Sequence, residues 1–318
     1  MKKTILALVL AGATFVTGCG DSNSFDGVSG QQGNPQPIIT PTPTPTTGYF
    51  VDATNGNDAT GSFNTGAPYA TVQAAVNAAP TGTTITVRPG TYTGDITLKD
   101  GQRVLGVASG TRPVLTGGIL LANGNTIDFL SFQGNDDNAL TANDTNGGTV
   151  TNCEFADTTN FGNGLRALSV TGTWIVEDNI MTDLAGIGVE IAAESGDVVV
   201  AQVNNNEITG NAFNALGFNA AGGDMRVQSN DNVMTGNQRD FTYQVITDFD
   251  SDFVAQIVGN TNDDVYRLSR NNTTSHLRIE RFGDIETLNS GGATVLLAGA
   301  ALPIEDVANG DAGFGTAP

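Results

Sequence analysis

The sequence is poor in the side chains that most chemistry uses. It has two cysteines, one histidine and one tryptophan in 318 residues, and 13 basic side chains against 33 acidic ones. Two cysteines exclude a disulfide framework and a thiolate metal cluster. A formal charge of −20 excludes the basic stripe that a nucleic-acid phosphate backbone needs. An anionic polysaccharide would be repelled too, unless a divalent cation bridged it. Aromatic residues make up only 7%, which argues against a bundle of large apolar side chains. What is abundant is glycine, 41 residues, together with asparagine, threonine and short β-branched runs. That mixture belongs to short strands stacked through tight turns.

The start of the chain is built differently. Lys2 and Lys3 precede an apolar stretch from Ile5 to Val16, too short for a stable membrane-spanning helix. It ends in Val16-Thr17-Gly18-Cys19, which resembles a bacterial lipobox. The resemblance implies a signal peptide over 1–18 and a lipid on Cys19 that anchors the protein to a membrane. Gly20, where an aspartate would retain a lipoprotein at the inner membrane, implies the cell envelope and, in a Gram-negative cell, the outer membrane. Loss of Lys2 and Lys3 takes the charge from −20 to about −22. Residues 19–47 form a tether whose run Thr40-Pro41-Thr42-Pro43-Thr44-Pro45 is extended and stiff.

Residues 48–318 form the folded domain. Tyr49-Phe50-Val51 opens it, followed by a turn-rich loop from Asp52 to Asp58. Between Pro68 and Ala79, Val72, Ala75, Val76 and Ala79 share one helical face, with Pro68 near the helix start. Ile85 and Val87 alternate, as do Ile96 and Leu98, across the turn Pro89-Gly90. The stretch VDATNGNDATGSFNTGAPYATVQAAVNAAPTGTTITVRPGTY resembles the opening of pectate-lyase-like β-helix proteins. The resemblance implies an all-β fold, a right-handed parallel β-helix whose first coil is covered by a capping helix. An uncovered end would expose apolar interior and unpaired backbone.

Beyond residue 106 the chain repeats. LSFQGN (130–135), CEFADT (153–158), NIMTDL (179–184), NEITGN (206–211) and NVMTGN (232–237) align. Their inward residues are Phe132, Phe155, Met181, Ile208 and Met234, at spacings of about 23 to 27. Two residues earlier stand Leu130, Cys153, Asn179, Asn206 and Asn232, so the asparagines are expected to stack as a ladder and Cys153 to be a small apolar member of that column. A second strand is expected at 139–141, 168–170, 189–191, 216–218 and 243–245, with Leu168, Val170, Val189, Ile191 and Phe218 inside. About eight coils fit, and from about residue 254 the pattern is less regular, although VYRLSRNN, HLRIERF and ATVLLAG still alternate like strands.

This fold hosts lyases, hydrolases, adhesins and inert scaffolds, so the residues must choose. His276 lies in a strand-like segment with no aspartate cluster evident at its repeat position. Lys99 is expected to be solvated in the turn Lys99-Asp100-Gly101. Arg166 is the best-placed arginine, with Thr141 and Glu190 as register neighbours. Asp157 and Asp183 fall at the same place in adjacent coils, with Asp136 and Asp137 in the turn one coil earlier. Stacked carboxylates repel unless a cation lies between them, so Asp136, Asp157 and Asp183 form a candidate Ca²⁺ site. Asp248 to Asp252 echoes an EF-hand loop but lacks its glycine and distal glutamate. The expectation is a monomeric lipoprotein whose β-helix is a scaffold, an adhesive or a glycan-binding surface without a catalytic set. The alternative is a Ca²⁺-dependent polysaccharide lyase or related carbohydrate-active enzyme.

Overall fold

The structure, a computed structural model, describes residues 47–108, 110–238, 241–292, 294–299, 304–308 and 312–314. Lys2, Lys3, Cys19 and the proline–threonine run lie outside the described residues.

The first strand, Tyr49–Val51, pairs in parallel with Thr84–Val87. Between them the capping helix runs from Val72 to Ala78, with Thr71 as its N-cap accepting the Ala74 N–H. Pro68 therefore precedes the helix instead of opening it. Tyr69 is held as a bridge partner of Val51 and its N–H bonds Phe50, which keeps this segment extended. The expected apolar face is the buried one, Val72, Ala75, Val76 and Ala79. Lys99 is half-buried rather than free in the turn: its Nζ donates to the Asn77 and Ala79 carbonyls at 2.7 and 2.9 Å. A cation there satisfies carbonyls that a helix end leaves unpaired.

Asp52 ties the opening loop together. Its Oδ1 accepts the N–H groups of Thr54 and Asn55, and its Oδ2 pairs with Arg88 at 2.9 Å. Burial by itself would raise its pKa, but the Asn55 N–H, the Arg88 guanidinium and the other donors outweigh that and hold the carboxyl at about 2.

The rest is a parallel solenoid of three sheets. Sheet A has eleven strands, sheet B eight and sheet C nine. One full coil consists of Val198–Asn204 in A, Glu207–Thr209 in B and Leu216–Ala221 in C. Sheet A supplies the longest strands, yet a two-strand reading of each coil omits it. The reason is visible at 165–177. Leu165–Leu168 in sheet C and Thr171–Glu177 in sheet A are separated by Ser169, at φ +52, and Val170. Alternation runs almost unbroken through so short a corner, so two strands look like one. The sheet C strand is thus earlier than 168–170. Leu165 and Ala167 point inward at 0% exposure, and Leu168 sits half-buried opposite Asn143.

The interior follows the expected column. Phe132 and Phe155 stack with centroids 4.9 Å apart and planes 5° apart, and Met181, Ile208 and Met234 continue the pile in register. Size is matched across coils elsewhere: Gly148 lies opposite Trp174, whose ring would be 2.7 Å from any Cβ there. The asparagine ladder is present and longer than expected. The Asn206 amide donates to Asn232 Oδ1 at 3.0 Å, and Asn179 to Asn206 likewise, and the column continues through Asn260 to Asn289. Each Oδ1 also accepts the backbone N–H of the coil before, as Asn206 does from Asn179. Cys153 heads the column fully buried, and burial pushes its thiol up to about 12.

The three segments expected to alternate like strands beyond residue 254 are strands: Val265–Arg270, His276–Glu280 and Thr294–Gly299 stay in register with their sheets. Only after Glu280 does the coil change, where a 3-10 turn, Phe282–Asp284, and a helical turn, Ile285–Leu288, lead back to Asn289.

Candidate functional site

The corners of the solenoid frame the site. The corner after sheet A needs a left-handed residue, and Phe129, Asn152, Asp178, Asn205, Asp231 and Gly259 supply it with φ between +53 and +75. The corner after sheet B does the same with Gly134, Asp157, Asp183, Gly210 and Gly236. Glycine, asparagine and aspartate adopt this conformation at least cost, and at these corners only Phe129 among the described residues is bulky. This accounts for Asp157 and Asp183 without any ligand. They do lie in register on adjacent coils. Both are exposed, and the Asp183 carboxylate lies over Gly210, on the side away from Asp157. Asp136 is also exposed and accepts a weak bond from Thr159 Oγ1 at 3.4 Å. Among the described residues no group of three or more His, Cys, Asp and Glu side chains is arranged to hold a metal ion.

Phe161, four residues beyond the Asp157 corner, is a left-handed phenylalanine, as Phe129 and Phe249 are elsewhere. It has φ +62, follows Asn160 at φ +48, and is 74% exposed. The cause is local. The link from sheet B to sheet C spans 157–164 in this coil, against 183–188 and 210–215 in the next two. The additional residues form a small loop, closed by Thr158 Oγ1 on the Gly162 carbonyl and by the Gly162 N–H on Thr159. A left-handed, solvent-exposed phenylalanine is unfavourable on both counts, costing on the order of 1 kcal/mol in strain. Its ring meets Phe213 edge-to-face at 5.7 Å, reaching across the coil that holds Gly186. Gly186 must be glycine, since a Cβ there would lie 2.4 Å from the Phe161 carbonyl oxygen.

Polar groups converge beside the rings. Glu190 Oε2 accepts Asn163 Nδ2 at 2.9 Å and lies 3.4 Å from Arg166 Nε. Asn163 is oriented in turn by the Ile187 N–H, which donates to its Oδ1 at 2.8 Å. The register neighbours of Arg166 are Thr141 and Glu190, as expected. With Phe161, Phe213 and Ile187 these residues line a cleft of about 420 Å³. Apolar walls with a few fixed donors and acceptors are the ordinary make-up of a small-molecule site.

A second constellation corrects the reading of His276. Register places it beside Asp252, and Asp252 beside Asp224, on the outer face of sheet A. Two aspartates thus share its repeat position after all. Arg226 and Arg278 occupy the column two residues along. The charges are largely spent on one another: Arg278 pairs with Asp252, His276 Nδ1 with Glu305 at 3.0 Å, and Asp224 accepts the Asp252 N–H at 3.2 Å. The column was missed in the sequence because no strand was assigned at 224–230 or 252–258, so the register that joins them to His276 was not drawn. Phe161 and Phe213 were missed for another reason. The signal for Phe161 was the longer repeat at 157–164 and a phenylalanine amid turn residues.

Residues 107–239 match the family model described as right handed beta helix region. No curated protein and no solved structure matches the chain. The coils continue in register on both sides of the matched segment. Three parallel sheets joined coil by coil, with that match at their centre, make the fold of the described residues a right-handed parallel β-helix.

Proposed function

We propose that this protein is a noncatalytic, glycan-binding lipoprotein of the cell envelope, held by a lipid on Cys19 and binding at the Phe161–Phe213 cleft. The observation that carries the binding site is Phe161 itself: exposed, left-handed and seated beside a fixed Arg166–Glu190–Asn163 set. Flat aromatic faces stack on sugar rings, and paired carboxylate, amide and guanidinium groups suit hydroxyl recognition. Strain kept at an exposed aromatic points to use. Binding of the purified protein to an array of oligosaccharides tests it. Phe161→Ala and Arg166→Ala should each weaken the strongest signal at least tenfold, and unchanged binding by both would remove the cleft from the proposal. Lipidation is tested by membrane fractionation of Cys19→Ser, which should release the protein.

A second reading, a carbohydrate-active enzyme, draws on the Asp224–Asp252–His276 column. It predicts new reducing ends from a polysaccharide and their loss in Asp252→Asn. Its Ca²⁺-dependent lyase form predicts unsaturated products and a melting temperature that falls in chelator.

A further inference from the structure

The Phe161 cleft is not isolated. A second cleft of about 490 Å³ abuts it, and Asp137 and Asn138 line both. The floor of the pair is one outward column of sheet C, in register coil after coil: Thr97, Leu120, Thr141, Arg166 and Glu190. Phe213 closes the far end in the next coil. With coils about 4.8 Å apart, six coils span about 24 Å, room for about four or five hexose units.

Among the described residues the charges along this groove are one-sided. Asp95, Asp136, Asp137 and Glu190 line it, against one described cation, Arg166, which is paired with Glu190. A polyuronate would bring its negative charge against these carboxylates. Leu120, 43% exposed, and the threonines on either side of it offer a flat, weakly polar floor.

We propose that the groove takes a linear, uncharged oligosaccharide running along the solenoid axis, from the Thr97 coil to the Phe161–Phe213 pair. This rests on the glycan-binding reading of the Phe161 cleft and names its ligand class. Binding is contributed along the whole floor, so affinity grows with chain length until the groove is filled.

The test is calorimetric titration of the protein with disaccharides and hexasaccharides of glucan, xylan and mannan, and with a galacturonate hexamer, at one ionic strength. The expected result is that at least one uncharged hexamer binds tenfold or more tighter than its disaccharide and than the galacturonate hexamer. Leu120→Ala should weaken the hexamer about threefold or more and leave the disaccharide unchanged, whereas Phe161→Ala weakens both. Equal affinity for dimer and hexamer, or preference for the galacturonate, with Phe161→Ala still damaging, would overturn the extended uncharged groove and leave glycan binding standing. Absence of binding to every sugar would overturn both.

Discussion

The corners after sheet A and after sheet B face the same problem and answer it differently. Each must reverse the chain with a left-handed residue and close off the interior. After sheet A the answer scarcely varies from Asp178 to Gly259: a turn residue, then a buried asparagine bonded to the next coil. After sheet B the link changes length, the buried column alternates Thr158, Leu184, Asn211 and Asn237, and a phenylalanine reaches solvent. A side chain that is bonded coil to coil is constrained by its neighbours above and below. After sheet B such bonds exist, from the Ala185, Leu184 and Asn211 N–H groups to Thr158, Asn211 and Asn237, but no one residue type runs through the column, and the proposed cleft lies beside this more variable corner.

The comparison can be broken most directly at the ladder. Asn206→Ala removes bonds to Asn179, Asn232 and the Val176 carbonyl, leaving buried groups unpaired. It should cost about 3 kcal/mol, read as a lower denaturation midpoint. An effect below 1 kcal/mol would mean that the ladder is not what steadies this corner.

The Asp52 turn extends the same idea to the N-terminal end. Its folded pKa, about 2, is below the ordinary 3.8, so its contribution is fully present above pH 3.8 and disappears as the pH falls through about 2. The amount at stake is about 2 kcal/mol. Asp52→Asn should flatten that part of the stability curve between pH 4 and pH 2, and an unaltered acid limb would refute the assignment.

At the variable corner the sign reverses. Phe161→Gly should raise stability by about 1 kcal/mol, because glycine accepts the left-handed conformation and no exposed ring remains, while glycan binding falls at least tenfold. A loss of stability would show that Phe161 is a packing residue. The smallest effect is expected at His276, more than half exposed beside Glu305. His276→Ala should change the melting midpoint by no more than about 0.5 kcal/mol equivalent.

Much of this architecture could be read before any coordinate. The inward series Phe132 to Met234, the asparagine stack, the buried Cys153 and the capping helix face follow from period and residue type alone, because a solenoid repeats the same few environments. What periodicity could not reveal is where one strand ends when the corner is as short as Ser169 and Val170. The sheet A strand 171–177 disappeared into sheet C for that reason, while the strands at 224–230 and 252–258 were not recognised, and with them the column that joins Asp224, Asp252 and His276. The same corners explain Asp157 and Asp183, whose type is set by backbone conformation and whose apparent pairing needed no cation to account for it.

The sequence by itself determined the coil, its interior and the chemistry of its ladder, since each depends on neighbours at a fixed spacing. Only the tertiary structure decided which outward residues share a surface. Phe161 and Phe213 are 52 positions apart in the chain and 5.7 Å apart in space, and Thr97 reaches the same groove through four successive registers. Those meetings depend on loop length and on the register of every coil between them, which no local pattern records.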